Sequence, residues 1–378
     1  MPSPAAASAE GAPRAELLEA LARRAEPDGF VPYDRFLDVA MYADRVGYYS
    51  RPATPFGPTG DFYTAPSVSP LFARTLARAI LEVPGALEVG GPFTIADLGC
   101  GDGRLLAELA GVLEERRPGG SFRYVAIDRS PPRRATAVAE LGGRLGPSGE
   151  RATAVASLAE LGPFAGVVVA HELLDAQPVQ RWRWDGHRWH ELGVRIVDGV
   201  LVETESARPG EGPFVPRATP RAEDAGVIVE TSGAAEAIVR EIADHLTAGR
   251  CVIVDYGAEE PELLAGHPRG TLAAVRRHRA VRTPLAAPGE SDLSAFVNFT
   301  RVREAARRAG LRELAFRSQA EALGAWGFAE ELERAVRAAG SSEEEVRVRL
   351  AAKNLVFGFG TFRVLELAPP PALARTSG

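Results

Sequence analysis

Asp97-Leu98-Gly99-Cys100-Gly101-Asp102-Gly103 stands between a short apolar run, Phe93–Leu98, and a segment of helical period, Arg104–Arg116. Glycines let a chain turn sharply and approach a ligand with no Cβ in the way, and the helix behind them offers unpaired N–H groups. A nucleotide-like cofactor is expected against this turn. Counted from Gly99, a dinucleotide fingerprint would need a third glycine at position 104, which is Arg104. The spacing present is GxGxG, with Asp97 two residues ahead. That pattern favours S-adenosylmethionine over NAD, because the amino-acid part of the former carries an ammonium that an acid can hold and has no pyrophosphate to seat on a helix N-terminus. Asp97, Gly99, Gly101 and Gly103 are therefore the first cofactor-binding candidates. Asp128 ends the next apolar run, 124–127, where an acid can accept from both ribose hydroxyls. It could equally cap the helix that begins near Pro131.

Outward from this turn the chain repeats one beat: short apolar run, glycine or acid, amphipathic helix. Strands are expected at Phe93–Leu98, 124–127, 152–156, 167–170, 251–254, 312–316 and 361–367, and helices at Arg104–Arg116, 133–141, 301–309 and Phe328–Ala338. Near-continuous apolar strands alternating with helices predict an α/β fold with a parallel sheet buried on both faces. Two segments interrupt the beat. Residues 181–205 alternate with period two and carry turn signals at Asp185-Gly186 and Asp198-Gly199, which predicts β-hairpins; 258–300 is rich in loop residues. The expected division is a disordered tail over 1–13, a helical N-terminal extension over 14–91, an α/β domain over 92–368 with insertions at 178–230 and 258–300, and a tail over 369–378.

Three further constellations carry candidate chemistry. His171-Glu172-Leu173-Leu174-Asp175 follows the strand at 167–170, and a helical turn there would put the carboxylates of Glu172 and Asp175 on one side. Two such carboxylates can grip a guanidinium or orient another nitrogen nucleophile, whereas the plain alternative is a helix cap with a solvated acid. His171 is a candidate base or a pocket-lining residue. Gly60-Asp61-Phe62-Tyr63-Thr64-Ala65-Pro66 sits in a long Pro/Gly-rich loop, a length uncommon unless it serves a site, and reads either as a cover over the cofactor or as an ordinary packed loop. Asp255-Tyr256-Gly257, after 251–254, is a candidate for the acceptor side.

Composition narrows the partners. The 378 residues include 44 basic and 50 acidic side chains, for a net charge of −6, so there is no electrostatic footprint for nucleic acid or an anionic membrane. No run approaches the ~18 consecutive apolar residues of a membrane span. Two cysteines, Cys100 and Cys251, make neither a disulfide framework nor a zinc site, which fits a reducing, cytoplasmic compartment; no metal is expected. Lys353 is the one lysine among the 44 basic residues, a bias that points to a GC-rich, bacterial genome and not to chemistry.

Taken together, GDFYTAP, DLGCGDGRLL, HELLDAQPV and VIVDYG, followed by RGTLAAVRRHR, PGESDLSAFVNFT and the terminal FRVL, resemble the MidA-like methyltransferases, the family that includes mitochondrial complex I assembly factor 7. The resemblance runs from Phe36 to Leu365. It implies a class I methyltransferase (Rossmann-like) fold with a seven-stranded, mostly parallel sheet, S-adenosylmethionine as cofactor, and cofactor contacts at Gly99, Gly101, Gly103 and Asp128, with Gly60, Asp61, Phe62 and Thr64 forming the loop beside them. Glu172 and Asp175 fall in the family's Asn-Glu-x-x-Asp-Ala-x-Pro segment. His171 stands where the family usually has asparagine, Ser67 where it usually has glutamate, and Phe296 and Asn298 where the pattern resembles His-Val-Asp-Phe.

The resulting expectation is an S-adenosylmethionine-dependent methyltransferase acting on a protein, with Glu172, Asp175 and His171 at the acceptor. Symmetric dimethylation of arginine is the reaction that the mitochondrial member implies. A small-molecule N- or O-methyltransferase and a cofactor-binding assembly factor without catalysis are the alternatives. The sequence leaves the oligomeric state open.

Overall fold

The computed structural model describes residues 15–50, 69–84, 92–210, 215–276 and 279–370. Gly60, Asp61, Phe62, Thr64 and Ser67 lie outside the described residues, as do the chain ends at 1–14 and 371–378. The chain divides into two compact units, each assembled from three segments.

The α/β unit spans Tyr63–Leu173, Ile238–Tyr256 and Arg303–Gly378. Along the main path of its sheet lie seven strands, β1 (Phe93–Leu98), β2 (Phe122–Ile127), β3 (Ala152–Val155), β4 (Phe164–His171), β5 (Leu246–Ala258), β6 (Arg312–Ser318) and β7 (Phe362–Ala368), in spatial order β3-β2-β1-β4-β5-β7-β6, and the two-residue strand Val297–Asn298 adds an eighth, parallel to Gly257–Ala258. Pairings are parallel from β3 through β5, and β7 runs antiparallel to both neighbours. The order reverses between β1 and β4, so the crevice at the carboxyl ends of these strands is where an open α/β sheet takes a ligand.

Burial explains why the strands read as unbroken apolar runs: all six residues of β1 are buried. Ile95, Tyr124, Val167, Val169, Val252, Val254 and Val364 point to one face, under Leu71, Phe72, Leu76, Leu106, Leu109 and Leu355 of the covering helices. Among those helices, Pro70–Leu81 starts cleanly because Ser69 Oγ accepts from the Leu71 N–H at 3.1 Å and proline occupies its first turn.

The second unit combines the described N-terminal residues 15–50 with Leu174–Ala237 and Gly257–Val302. Strands Gln180–Trp184, Trp189–Val197 and Val200–Pro209 form an antiparallel meander, extended at its edges by Val31–Pro32 and Ile228–Thr231. Its tightest turn is Asp198-Gly199, with φ +50° and +76°, the left-handed pair that a two-residue hairpin needs. Helices Ala15–Arg24 and Tyr33–Tyr42 pack Leu17, Leu21, Phe36 and Leu37 against Val194, Ala274 and Leu293.

Candidate active site

The glycine turn between β1 and the helix Arg104–Arg116 is held by backbone bonds from Gly99 N–H (2.8 Å) and Cys100 N–H (3.1 Å) to the carbonyl of Ile127 at the tip of β2. Gly99, Gly101 and Gly103 all have positive φ, at +79°, +55° and +79°. A side chain is strained there. Packing imposes glycine as well: a Cβ on Gly103 would lie 2.5 Å from Ala137, and one on Gly99 would lie 2.7 Å from Leu173 Cδ1.

Acids surround this turn. Asp97 is buried, and burial pushes its carboxyl up to about 7, with the charges of Asp102 and Asp128 adding to the rise. No cation among the described residues offsets it. Asp128 Oδ1 accepts from the Ser130 N–H at 2.8 Å, a local turn that orients the carboxylate at the end of β2; the helix Pro131–Leu145 takes Ser130 and not Asp128 as its N-cap residue. Three close acids fit a ligand that brings an ammonium and a sulfonium, as S-adenosylmethionine does. Burial also raises the Cys100 thiol, which stays protonated and offers no thiolate nucleophile.

One strand over, β4 ends in His171, and the chain then departs from the helical turn expected of 172–175. Glu172 adopts φ +50°, a left-handed conformation that is costly outside glycine, and no helix forms over 172–179. Backbone bonds hold that conformation. Glu172 N–H donates to the Val254 carbonyl on β5 at 2.9 Å, and Leu173 N–H donates to Asp255 Oδ2 at 3.1 Å. Asp255 is fully buried, and its Oδ1 accepts from the Tyr256 N–H at 3.0 Å. Asp255, read from sequence as an acceptor-side group, is thus the brace of the turn that carries Glu172.

His171 continues the face of Val167 and Val169, its ring edge-on to Phe72 at 5.1 Å and tilted to Phe362 at 6.5 Å. Burial lowers its pKa to about 3, so the imidazole is neutral and too weak to act as the general base that the sequence allowed. Phe72 and Phe362 were missed as neighbours of this site; the period-two alternation of β4 was the signal that could have found the face they share.

Asp175 belongs to the second unit. It is buried, and its carbonyl accepts from the Ala295 N–H at 3.0 Å; the next carbonyl, Ala176, accepts from the Tyr42 hydroxyl at 2.6 Å. Phe296 packs against the His267 ring at 4.8 Å, and Asn298 Nδ2 donates to Glu260 Oε2 at 2.9 Å, both within this unit.

Fold and site together define a class I methyltransferase that uses S-adenosylmethionine. The family of putative S-adenosyl-L-methionine-dependent methyltransferases matches residues 75–317, and this chain belongs to it. A crystal structure of a likely methyltransferase from Burkholderia thailandensis bound to S-adenosyl-homocysteine superposes with a TM-score of 0.82 at 32% identity, covering 97% of this chain and 94% of that one. Curated relatives include the mitochondrial protein arginine methyltransferase NDUFAF7 homolog of Drosophila melanogaster, 24% identical over 81% of this chain and 74% of its own length. The NDUFAF7 protein of Danio rerio is 26% identical over 77% of this chain and 72% of its own. No described helix is long and apolar enough to cross a membrane.

Proposed function

We propose that this methyltransferase acts on a protein and that its acceptor is an arginine nitrogen. The observation that carries the reading is Glu172, whose backbone is held in a left-handed conformation at the carboxyl end of β4, the strand beside the one that leads into the cofactor turn. A carboxylate there can take charge-assisted hydrogen bonds from a guanidinium and hold one nitrogen in line for attack. Bound S-adenosylmethionine supplies a methyl already activated by its sulfonium. The chain's share is alignment, exclusion of water and a negative charge near the reacting nitrogen, where Glu172 also stands ready to accept the proton the nitrogen sheds on methylation. The names of the curated relatives agree with arginine as acceptor.

The test is incubation with isotopically labelled S-adenosylmethionine and arginine-containing protein extract, followed by hydrolysis and amino-acid analysis. Labelled methylarginine is expected, with turnover falling about a hundredfold in Glu172→Gln while S-adenosylhomocysteine affinity holds. Label appearing only in methyl-lysine or in a metabolite refutes the reading.

A further inference from the structure

The helix Ser342–Phe357 of the α/β unit has two apolar faces. Val348, Ala352 and Leu355 pack inward on the core, and the Leu355 carbonyl accepts from Gln319 Nε2 at 3.1 Å. Val346, Leu350 and Phe357 point the other way, 54%, 60% and 75% exposed, and no described large apolar side chain is more exposed than Leu350 and Phe357. At about 100° per residue, these three and the exposed Lys353 fall within an arc of about 60°, across the helix from its buried face. Apolar side chains exposed singly need no account; a line of them along one helix does, because each forgoes the stabilisation of burial.

The line has the spacing of a helix-pairing seam. Val346, Leu350, Lys353 and Phe357 follow one another at four, three and four residues, the alternation by which one helix lays a ridge along another. Charges border it, with Arg347 paired to Glu343 at 3.5 Å on one side and Arg349 to Glu345 at 2.8 Å on the other. Both pairs are exposed and therefore weak, so each guanidinium can take a second carboxylate. Lys353 has no ion pair among the described residues. A lysine set into an apolar seam weakens pairing unless an acid meets it, which makes it selective. We propose that this face docks an amphipathic helix of a partner protein, one whose apolar seam is bordered by Glu or Asp and brings a carboxylate to Lys353. A second copy of this chain does not match: two seams laid parallel put Lys353 against Lys353, and laid antiparallel with Val346 on Phe357 they set no acid opposite it. A membrane surface matches no better. The apolar arc is narrower than the roughly 100° of a half-buried helix, and three glutamates offset the two arginines and the lysine. Docking here is independent of which group receives the methyl.

The probes are two synthetic helical peptides of about three heptads with the same leucine and isoleucine seam, bordered by glutamate in one and lysine in the other. Fluorescence anisotropy of trace labelled peptide, titrated with the full-length protein, should show saturable binding of the acidic peptide and binding of the basic one weaker by about tenfold or more. Leu350→Glu should weaken the acidic peptide by about tenfold or more, and Lys353→Glu should narrow the preference for it by about threefold or more. Both side chains are exposed, so both variants should keep the wild-type Tm and S-adenosylhomocysteine affinity, which separates lost docking from lost folding. No binding of the acidic peptide, equal binding of the two, or unchanged binding in Leu350→Glu overturns the proposal. So does a dimer in sedimentation velocity that Leu350→Glu dissolves, which assigns the face to a second copy, or pelleting with phosphatidylcholine–phosphatidylserine vesicles that Leu350→Glu abolishes, which assigns it to a membrane.

Discussion

Replacing Asp97 by asparagine should raise the thermal stability of the cofactor-free protein and weaken its hold on S-adenosylmethionine. The Asp97 carboxyl rises from 3.8 to about 7 through burial first and the charges of Asp102 and Asp128 second. The sign follows from linkage. A carboxyl whose folded pKa lies above its unfolded value contributes its full stability below 3.8 and loses it as pH climbs through about 7. Three units at about 1.4 kcal/mol each put the loss near 4 kcal/mol above neutrality. With ~2 cal/mol/K of unfolding entropy per residue, that is on the order of 5 °C in Tm.

Asparagine has no proton to lose, so its Tm should match the wild type near pH 4 and exceed it increasingly up to pH 8. Binding should show the reverse. If the ionised carboxylate receives the cofactor's ammonium, each pH unit below 7 weakens wild-type affinity by up to about tenfold, whereas the variant is weaker throughout and flat with pH. Scanning calorimetry of the cofactor-free protein and titration calorimetry with S-adenosylmethionine, both across pH 5–8.5, measure the two effects. Parallel Tm curves for the two proteins, or a pH-independent wild-type affinity, would refute the reasoning.

The glycine turn makes a graded prediction. Gly103→Ala meets backbone and Cβ atoms of Ala137 at 2.5 Å and should cost about 3 kcal/mol or more, whereas Gly99→Ala meets the movable end of Leu173 at 2.7 Å and should cost about 1–2. Urea denaturation separates them, and equal losses would count against the packing argument. In the second unit, Arg301 is almost wholly buried against Glu236, donating from Nε at 3.0 Å and Nη2 at 2.8 Å. Arg301→Met alone should lose about 3–5 kcal/mol by leaving Glu236 buried without its cation, and adding Glu236→Met should restore much of it. An additive double variant would show that the pair is not coupled.

The α/β unit was legible because its central strands, such as Phe93–Leu98 and Phe164–His171, are almost wholly buried, so local pattern and three-dimensional environment coincide there, while the edge strands Ala152–Val155 and Arg312–Ser318 are only partly buried. Where they diverge, the sequence misleads. The helix Ser342–Phe357 was not expected: Val346, Leu350 and Phe357 are exposed on it while Ala352 and Leu355 are its buried residues, which scrambles the usual apolar stripe. In the second unit, Val31 pairs with Val194 through a strand only two residues long, too short to show a period. At the site, the glycine turn and its acid could be read from spacing. The left-handed Glu172 could not, because nothing in HELLD distinguishes a helical turn from a backbone bent by Asp255, a brace more than eighty positions further along.

On the arginine reading proposed above, that long-range brace bears on the main electrostatic obstacle of the reaction. A cationic cofactor and a guanidinium repel each other, and bringing them into contact in a site sheltered from water magnifies the repulsion. Asp97, Asp102, Asp128, Glu172 and Asp255 are scattered over nearly 160 positions, yet all belong to the α/β unit and lie at strand ends or in the turns that follow them. Asp255 accepts from two backbone N–H groups. On the arginine reading proposed above, Asp97, Asp102 and Asp128 would serve the cofactor side and Glu172 the acceptor side, giving each cation a nearby negative charge as the two approach. On this account, losing Glu172 should cost more with a charged guanidinium acceptor than with a neutral amine of the same size. The formal charge of −6 conveys none of this: what matters is which strand end each acid occupies.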